Sequence, residues 1–190
     1  MVGSLTLRAT RPQGGVRPAT ENHGPMVVLG IDPGLANCGF GVVVRRSHRL
    51  VATDGGVIAT AAGLAPERRL ATIHTRLWEL IEEHRPDAVA LEALYFGQNV
   101  RTAFAVGQAR GVVLLAAGQQ GVDCIDYTPQ QVKGAVCGNG RADKGQVARM
   151  VQALLSLAEP PRPDHAADAL AVAICHANHA PFAAAAAVAG

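Results

Sequence analysis

Aromatic side chains are scarce: Phe, Trp and Tyr make up 4% of the 190 residues, although 49% are hydrophobic. The core must therefore be built from Ala, Val, Leu and Ile. Lysine is scarcer still, with only Lys133 and Lys144 in the chain; every other cation is Arg. No apolar run approaches the roughly 20 residues needed to span a bilayer. The four cysteines (Cys38, Cys124, Cys137, Cys175) form no C-x-x-C pair and sit in apolar surroundings. They read as buried free thiols in a reducing cytoplasm, not as disulfides or a zinc site. The seven histidines are scattered without metal-finger spacing. An excess of one charge is missing too. Residues 1–25 hold three Arg and one Glu, which leaves 14 basic against 14 acidic groups in 26–190. Overall charge thus gives no support for a nucleic-acid partner, and only a local excess can.

Residues 1–25 carry Pro12, Gly14, Gly15, Pro18 and Pro25 and show no periodicity. They also lack the apolar stretch of a signal peptide. They read as a disordered leader, or as an over-extended start ahead of a true beginning near Met26. The remainder is long enough for one compact domain with a real core, expected over 26–180, with the Ala-rich 181–190 as a frayed tail. Runs at 27–31, 39–44 and 50–58 predict a three-stranded antiparallel meander. A helix follows over 65–84, with Leu70, Ile73, Leu77, Trp78 and Ile81 at three- and four-residue steps and Pro86 as its stop. A strand over 88–91, a helix over 99–119 and a strand over 122–126 come next. Thr128, Pro129 and Gln131 spell a helix start, and helices over 143–157 and 164–178 complete the chain. Helical crossovers after the third and fourth strands imply parallel pairing in that half. The expected fold is α/β, a mixed five-stranded sheet with helices on both faces.

Two of the strands end on a carboxylate. Val27–Ile31 runs into Asp32, and Ala88–Leu91 runs into Glu92. Ligand sites of open sheets gather at the carboxyl ends of their strands. If the first and fourth strands are parallel neighbours, the two acids leave the sheet side by side. Asp168 would join them from the last helix, with His165 on the same face three residues earlier. Asp164 has a helical angle that ranks it below His165. Hard Mg²⁺ prefers such oxygen ligands, and two ions roughly 3.5–4 Å apart can clamp the attacking and leaving oxygens of a phosphoryl displacement. Each segment alone also has a plain reading: Asp32-Pro33-Gly34 as a turn, Glu92 as a strand-end charge, and Asp164 and Asp168 as helix-terminal acids.

The chain resembles the RuvC family of Holliday-junction resolvases, on a ribonuclease-H-like fold, over 26–180. The resemblance is carried by G-I-D-P-G at 30–34, L-E-A-L-Y-F at 91–96, G-Q-A-R-G at 107–111, Q-V-K at 131–133, A-D-K-G-Q-V at 142–147 and H-A-A-D-A-L-A-V-A at 165–173. It implies a homodimeric endonuclease dependent on Mg²⁺ or Mn²⁺, with two ions per site. Such an enzyme nicks two symmetric strands of a four-way junction in recombination and repair, beside a RuvA–RuvB branch-migration complex. It implies Asp32, Glu92 and Asp168 as catalytic and metal-binding acids. His165 takes the fourth position, where some relatives have Asp.

The same resemblance places Lys133 and Lys144 where relatives carry functionally important lysines, suited to a phosphate or a developing oxyanion. It also places an aromatic at Tyr95 for stacking on junction bases. Its neighbour Phe96 has two readings, DNA contact and core packing. At Gln98 some relatives are basic. Residues 97–150 carry six Arg and Lys against three Asp, so Arg101, Arg110, Arg141 and Arg149 are candidate phosphate contacts or ordinary helix-face charges. Ala103, Gly107 and Gly111 recur at four-residue steps, suited to a close helix contact across a dyad or against the sheet.

Two other readings compete. G-I-D-P-G-L-A-N-C-G resembles the phosphate hairpin of the actin and sugar-kinase ATPases, and Thr53-Asp54-Gly55-Gly56 mimics their second phosphate loop. That loop should open a duplicated domain for which 190 residues are too few. A catalytically dead junction-binding module is the other, disfavoured because all four presumed metal positions carry competent ligands.

Overall fold

The computed structural model describes residues 25–93 and 100–188, with the backbone alone at 100–102 and 181–188. The leader, apart from Pro25, lies outside the described residues, as do Tyr95, Phe96 and Gln98. Five strands form one sheet: β1 Met26–Asp32, β2 Asn37–Arg46, β3 Arg49–Ala59, β4 Ala88–Glu92 and β5 Asp123–Tyr127. Their order is β3-β2-β1-β4-β5. The first three are antiparallel neighbours, whereas β1 with β4 and β4 with β5 are parallel. Helix α1, Pro66–His84, crosses from β3 to β4, and α2, Val100–Gln120, crosses from β4 to β5. Helices α3 Pro129–Cys137, α4 Lys144–Leu155 and α5 Asp164–Val188 follow.

Local chemistry sets the helix ends. The Thr128 hydroxyl accepts from Gln131 N while the Gln131 side chain accepts from Thr128 N, and Asp143 and Gln146 repeat the device on α4. Such reciprocal caps satisfy orphan amides of the first turn. Helix α1 closes on Arg85 in the left-handed region, just ahead of Pro86. Helix α5 runs past residue 178, where the sequence suggested its end, through Pro181 and on to Val188; the alanines at 183–187 favour helix, whereas Pro181 opposes it.

Period-2 alternation divides the sheet between two cores. Leu29 and Ile31 of β1 and Val89 and Leu91 of β4 pack with Ile73, Leu77 and Leu80 of α1 and Val113 of α2. Val28 and Ala90 face the other way, towards α3, α4 and α5. The same alternation turns Asp32 and Glu92, two residues beyond Gly30 and Ala90, to the α5 side. Helix α5 lies very close to the sheet there. A Cβ on Gly30 would collide with the Ala169 carbonyl, and one on Gly39 with the His165 carbonyl. Glycine is what admits so near a helix. Cys38 and Cys175 are buried free thiols, pushed by burial up to about 11 and about 12 respectively. Among the described residues, no helix is long and apolar enough to cross a membrane.

Candidate metal centre

The register places the two strand-end acids side by side. Ile31 pairs with Leu91 across the parallel β1–β4 seam, so Asp32 and Glu92 are the next residues on each strand. The first turns of α5 hang over them, held down by the Gly30 and Gly39 contacts. His165 Nδ1 stands 2.7 Å from Asp32 Oδ2. From α4, Lys144 Nζ reaches Asp168 Oδ2 at 3.4 Å and Asp164 Oδ2 at 3.2 Å. Glu92, Lys133, Lys144 and Asp168 line one cavity of ≈ 230 Å³ whose apolar wall includes Val132 and Val147.

The electrostatics are those of crowded anions. Burial pushes the Glu92 carboxyl above its ordinary range, and the Asp32 and Asp168 charges push it further, against the pull of Lys133. Burial also raises Asp168, with Asp32 and Asp164 adding to it and Lys144 opposing. Carboxylates that repel one another in partial burial favour any bound cation. Among the described residues, no three His, Cys, Asp or Glu side chains stand already gathered as ligands around one point. Instead two carboxylates have internal partners, Asp32 the His165 ring and Asp168 the Lys144 ammonium. The donor set nevertheless fits a hard divalent ion: three carboxylates on adjacent elements, an imidazole against one of them, and a charge repulsion that an ion would relieve.

The other residues singled out by sequence fare unequally. Lys133 and Lys144 both reach the acidic cavity, so the chain's two lysines converge on one site. Arg141 and Arg149 are exposed, near the starts of α4 and in its second turn. The backbone of Arg101 lies in the first turn of α2, and its side chain is outside the described residues. Arg110 has an internal partner: its Nη2 lies 2.6 and 2.5 Å from the two carboxylate oxygens of Asp126. Gly107 and Gly111 do not pack against the sheet, since a Cβ on either would meet nothing within 4 Å. Thr53–Gly56 is no phosphate loop. It lies within β3, and Asp54 Oδ2 bonds His84 Nε2 at 3.0 Å.

Sequence reasoning missed two contacts around this centre. Asp164 anchors Lys144, though its helical angle had set it aside. Tyr127, at the end of β5, bonds through its hydroxyl to Nδ1 of buried His176 on α5 at 2.9 Å. Only the periodicity of α5 could have shown His176 facing inward. The glycines beneath α5 were visible in principle, as a small-residue set in β1 and β2 opposite an alanine-rich helix.

Comparison with known proteins identifies the family. The family model for "Crossover junction endodeoxyribonuclease RuvC" matches residues 28–176. A protein of that name from Moorella thermoacetica is 56% identical over 157 residues, covering 83% of this chain and 94% of its own length. Another, from Rubrobacter xylanophilus, is 55% identical over 151 residues, covering 80% and 84%. A solved structure of Thermus thermophilus RuvC in complex with Holliday junction substrate superposes with a TM-score of 0.80 at 43% identity, covering 83% of this chain and 96% of that one. The match spans both strand-end acids, the two lysines and the start of α5, and with it the chain belongs to the RuvC family of crossover junction endodeoxyribonucleases.

Proposed function

We propose that the sheet edge formed by Asp32, Glu92, Asp168 and His165 is where this junction-resolving endonuclease holds its metal and cuts DNA. One observation carries the assignment. Two carboxylates leave adjacent parallel strands towards a helix that brings a third carboxylate and an imidazole, while Lys133 and Lys144 line one cavity with Glu92 and Asp168. The family's nucleases are metal-dependent, and the oxygen-rich donor set favours Mg²⁺, two ions per site, with Mn²⁺ able to substitute.

Asp32 on the central strand, Glu92 and Asp168 would hold the ions through their carboxylate oxygens. His165 engages Asp32 through Nδ1 and keeps its second ring nitrogen for a ligand or a water. Bound divalent ions supply Lewis-acid charge for the phosphate oxygens and a more acidic water. Lys133 and Lys144 supply compact positive charge for the backbone phosphate beside the acids. Arg141, Arg149 and, on α2, Arg101 extend the phosphate path. Tyr95 stacks on bases at the branch point, with Phe96 beside it in DNA contact or core packing.

Resolution requires two symmetric cuts, hence two copies of the site related by a dyad. Helix α2 offers the surface. Phe104 (68% exposed), Leu114 and Leu115 are large apolar residues left in solvent, interleaved with Gly107, Gly111 and Gly118. A second copy of this chain packed on that face forms the homodimer. A RuvA–RuvB branch-migration complex is the partner that family membership suggests, and four free cysteines suit a cytoplasmic enzyme.

The test is cleavage of a synthetic four-way junction and a linear duplex in Mg²⁺, Mn²⁺ or chelator. The junction is expected to be nicked at two symmetric positions with either metal and not in chelator. Asp32→Asn is expected to retain junction binding and to lose cleavage by about 10³-fold or more. Duplex cut as readily as junction, or cleavage surviving in Asp32→Asn, would overturn the assignment.

A further inference from the structure

Arg110 sits where a phosphate-contacting arginine would be expected from local charge, yet its surroundings are those of an internal clamp. Its side chain is only 14% exposed. Besides the contacts of Nη2 with both oxygens of Asp126, its Nη1 donates to the Glu92 main-chain carbonyl at 3.4 Å. Those two acceptors belong to neighbouring parallel strands at their carboxyl ends, since Leu91 pairs with Asp126 and Glu92 with Tyr127. The ladder continues one bond further, with Ala93 N donating to Tyr127 O at 2.8 Å. Arg110 itself is carried by α2. The guanidinium therefore ties α2 to the carboxyl ends of β4 and β5. A planar group with several fixed donors suits such a three-way tie, and a partly buried carboxylate pair resists screening better than a surface one.

We infer that Arg110 is a positioning residue: paired with Asp126, it ties α2 to the carboxyl ends of β4 and β5 and so fixes the placement of Glu92 for cleavage, without touching DNA. This rests on the assignment of Glu92 to the cutting site. The clamp differs from a phosphate contact in what its partner does. If Arg110 served DNA, Asp126 would be a competitor for its charge, and removing Asp126 would tighten binding. If Arg110 serves Glu92, the two residues act as one unit and removing either has the same result.

The experiment compares Arg110→Met, Asp126→Ala and the double variant in the full chain. Each single variant is expected to lower junction turnover about tenfold, at unchanged junction affinity and unchanged salt dependence of binding, with the double variant no slower than the slower single one. A second measurement is independent of activity: amide hydrogen exchange at Ala93 should quicken in both variants. Weakened junction binding with a shallower salt slope in Arg110→Met, and parent-like or tighter binding in Asp126→Ala, would make Arg110 a phosphate contact and overturn the clamp. Unchanged exchange at Ala93, or parent-like turnover per folded molecule in both variants, would overturn it as well. Quickened exchange in a chain whose parent cuts no junction would instead retain the clamp and sink the resolvase site.

Discussion

Helices α2 and α5 are the two longest helices among the described residues, and they flank opposite faces of the sheet. In α5 every residue from Ala166 to Ala177 except Asp168 is buried. Helix α2 buries Ala109, Val113, Ala116 and Ala117 but leaves Phe104, Leu114 and Leu115 in solvent. Burial on nearly every side over that stretch of α5 fits a helix inside a core. One long helix thus presses an acidic end onto the sheet, and the other leaves large apolar side chains in solvent.

The glycines on the two sides offer the sharpest contrast. Gly30→Ala would drive a Cβ into the backbone of α5, 2.8 Å from Ala173 N, and backbone cannot yield as a side chain does. The expected loss is about 3 kcal/mol, a Tm lower by roughly 6–12 °C in thermal unfolding. Gly111→Ala meets open space and gains helix propensity, so the isolated protomer should melt roughly 2–4 °C higher. Equal responses from the two variants would erase the distinction between the helices.

Next in size is Phe104→Lys. Placing a charge at the most exposed aromatic of the α2 face should weaken dimerisation by about 100-fold or more, read by sedimentation, with the protomer still folded. A dimer of undiminished affinity would remove α2 from the dyad. Tyr127→Phe acts on the α5 side. It deprives buried His176 of its hydroxyl partner and should cost about 1–2 kcal/mol by denaturant titration. Burial and the neighbouring His179 already lower the His176 pKa, so the ring does not gain by charging when the hydroxyl is lost.

The smallest effect has the opposite sign. The Glu92 and Asp168 carboxyls bind protons more tightly in the folded state than in the unfolded one. Stability from protonating them is complete below the unfolded carboxylate range and is lost as pH rises through their raised folded values. In chelator, Tm should therefore climb as pH falls from neutral towards that range. Glu92→Gln should flatten the climb and raise Tm at neutral pH by roughly 2–4 °C. A variant less stable than the parent in chelator would mean that Glu92 is not held at a cost.

Much of this was legible in the chain. Apolar runs closed by Asp32 and Glu92 marked strand ends, and helical crossovers implied the parallel β1–β4 seam that sets the two acids side by side. The capping box at Thr128 was written in three residues. What could not be read were contacts between elements that no local pattern couples. The Arg110–Asp126 pair spans a helix and a strand 16 residues apart in sequence, and a lone arginine in a mildly basic stretch looks the same whether it faces DNA or a carboxylate. Thr53–Gly56 resembles a phosphate loop in composition, but the run over 50–58 reads as a strand, and its glycines pair with Gly41 and Phe40. The Lys144–Asp164 contact likewise joins two helices that no local pattern couples.

The scarcity of lysine has a practical sequel. The chain's two lysine amines both line the acidic cavity, so a general amine-acylating reagent becomes, apart from the N-terminus, a reagent for this one site. Lys144 lies against Asp164 and Asp168, and that contact holds its pKa above the ordinary lysine value, which slows its acylation. Two labelled peptides in a mass spectrum would then report, without radiolabel or engineered probe, when an ion or a DNA strand enters the cleft.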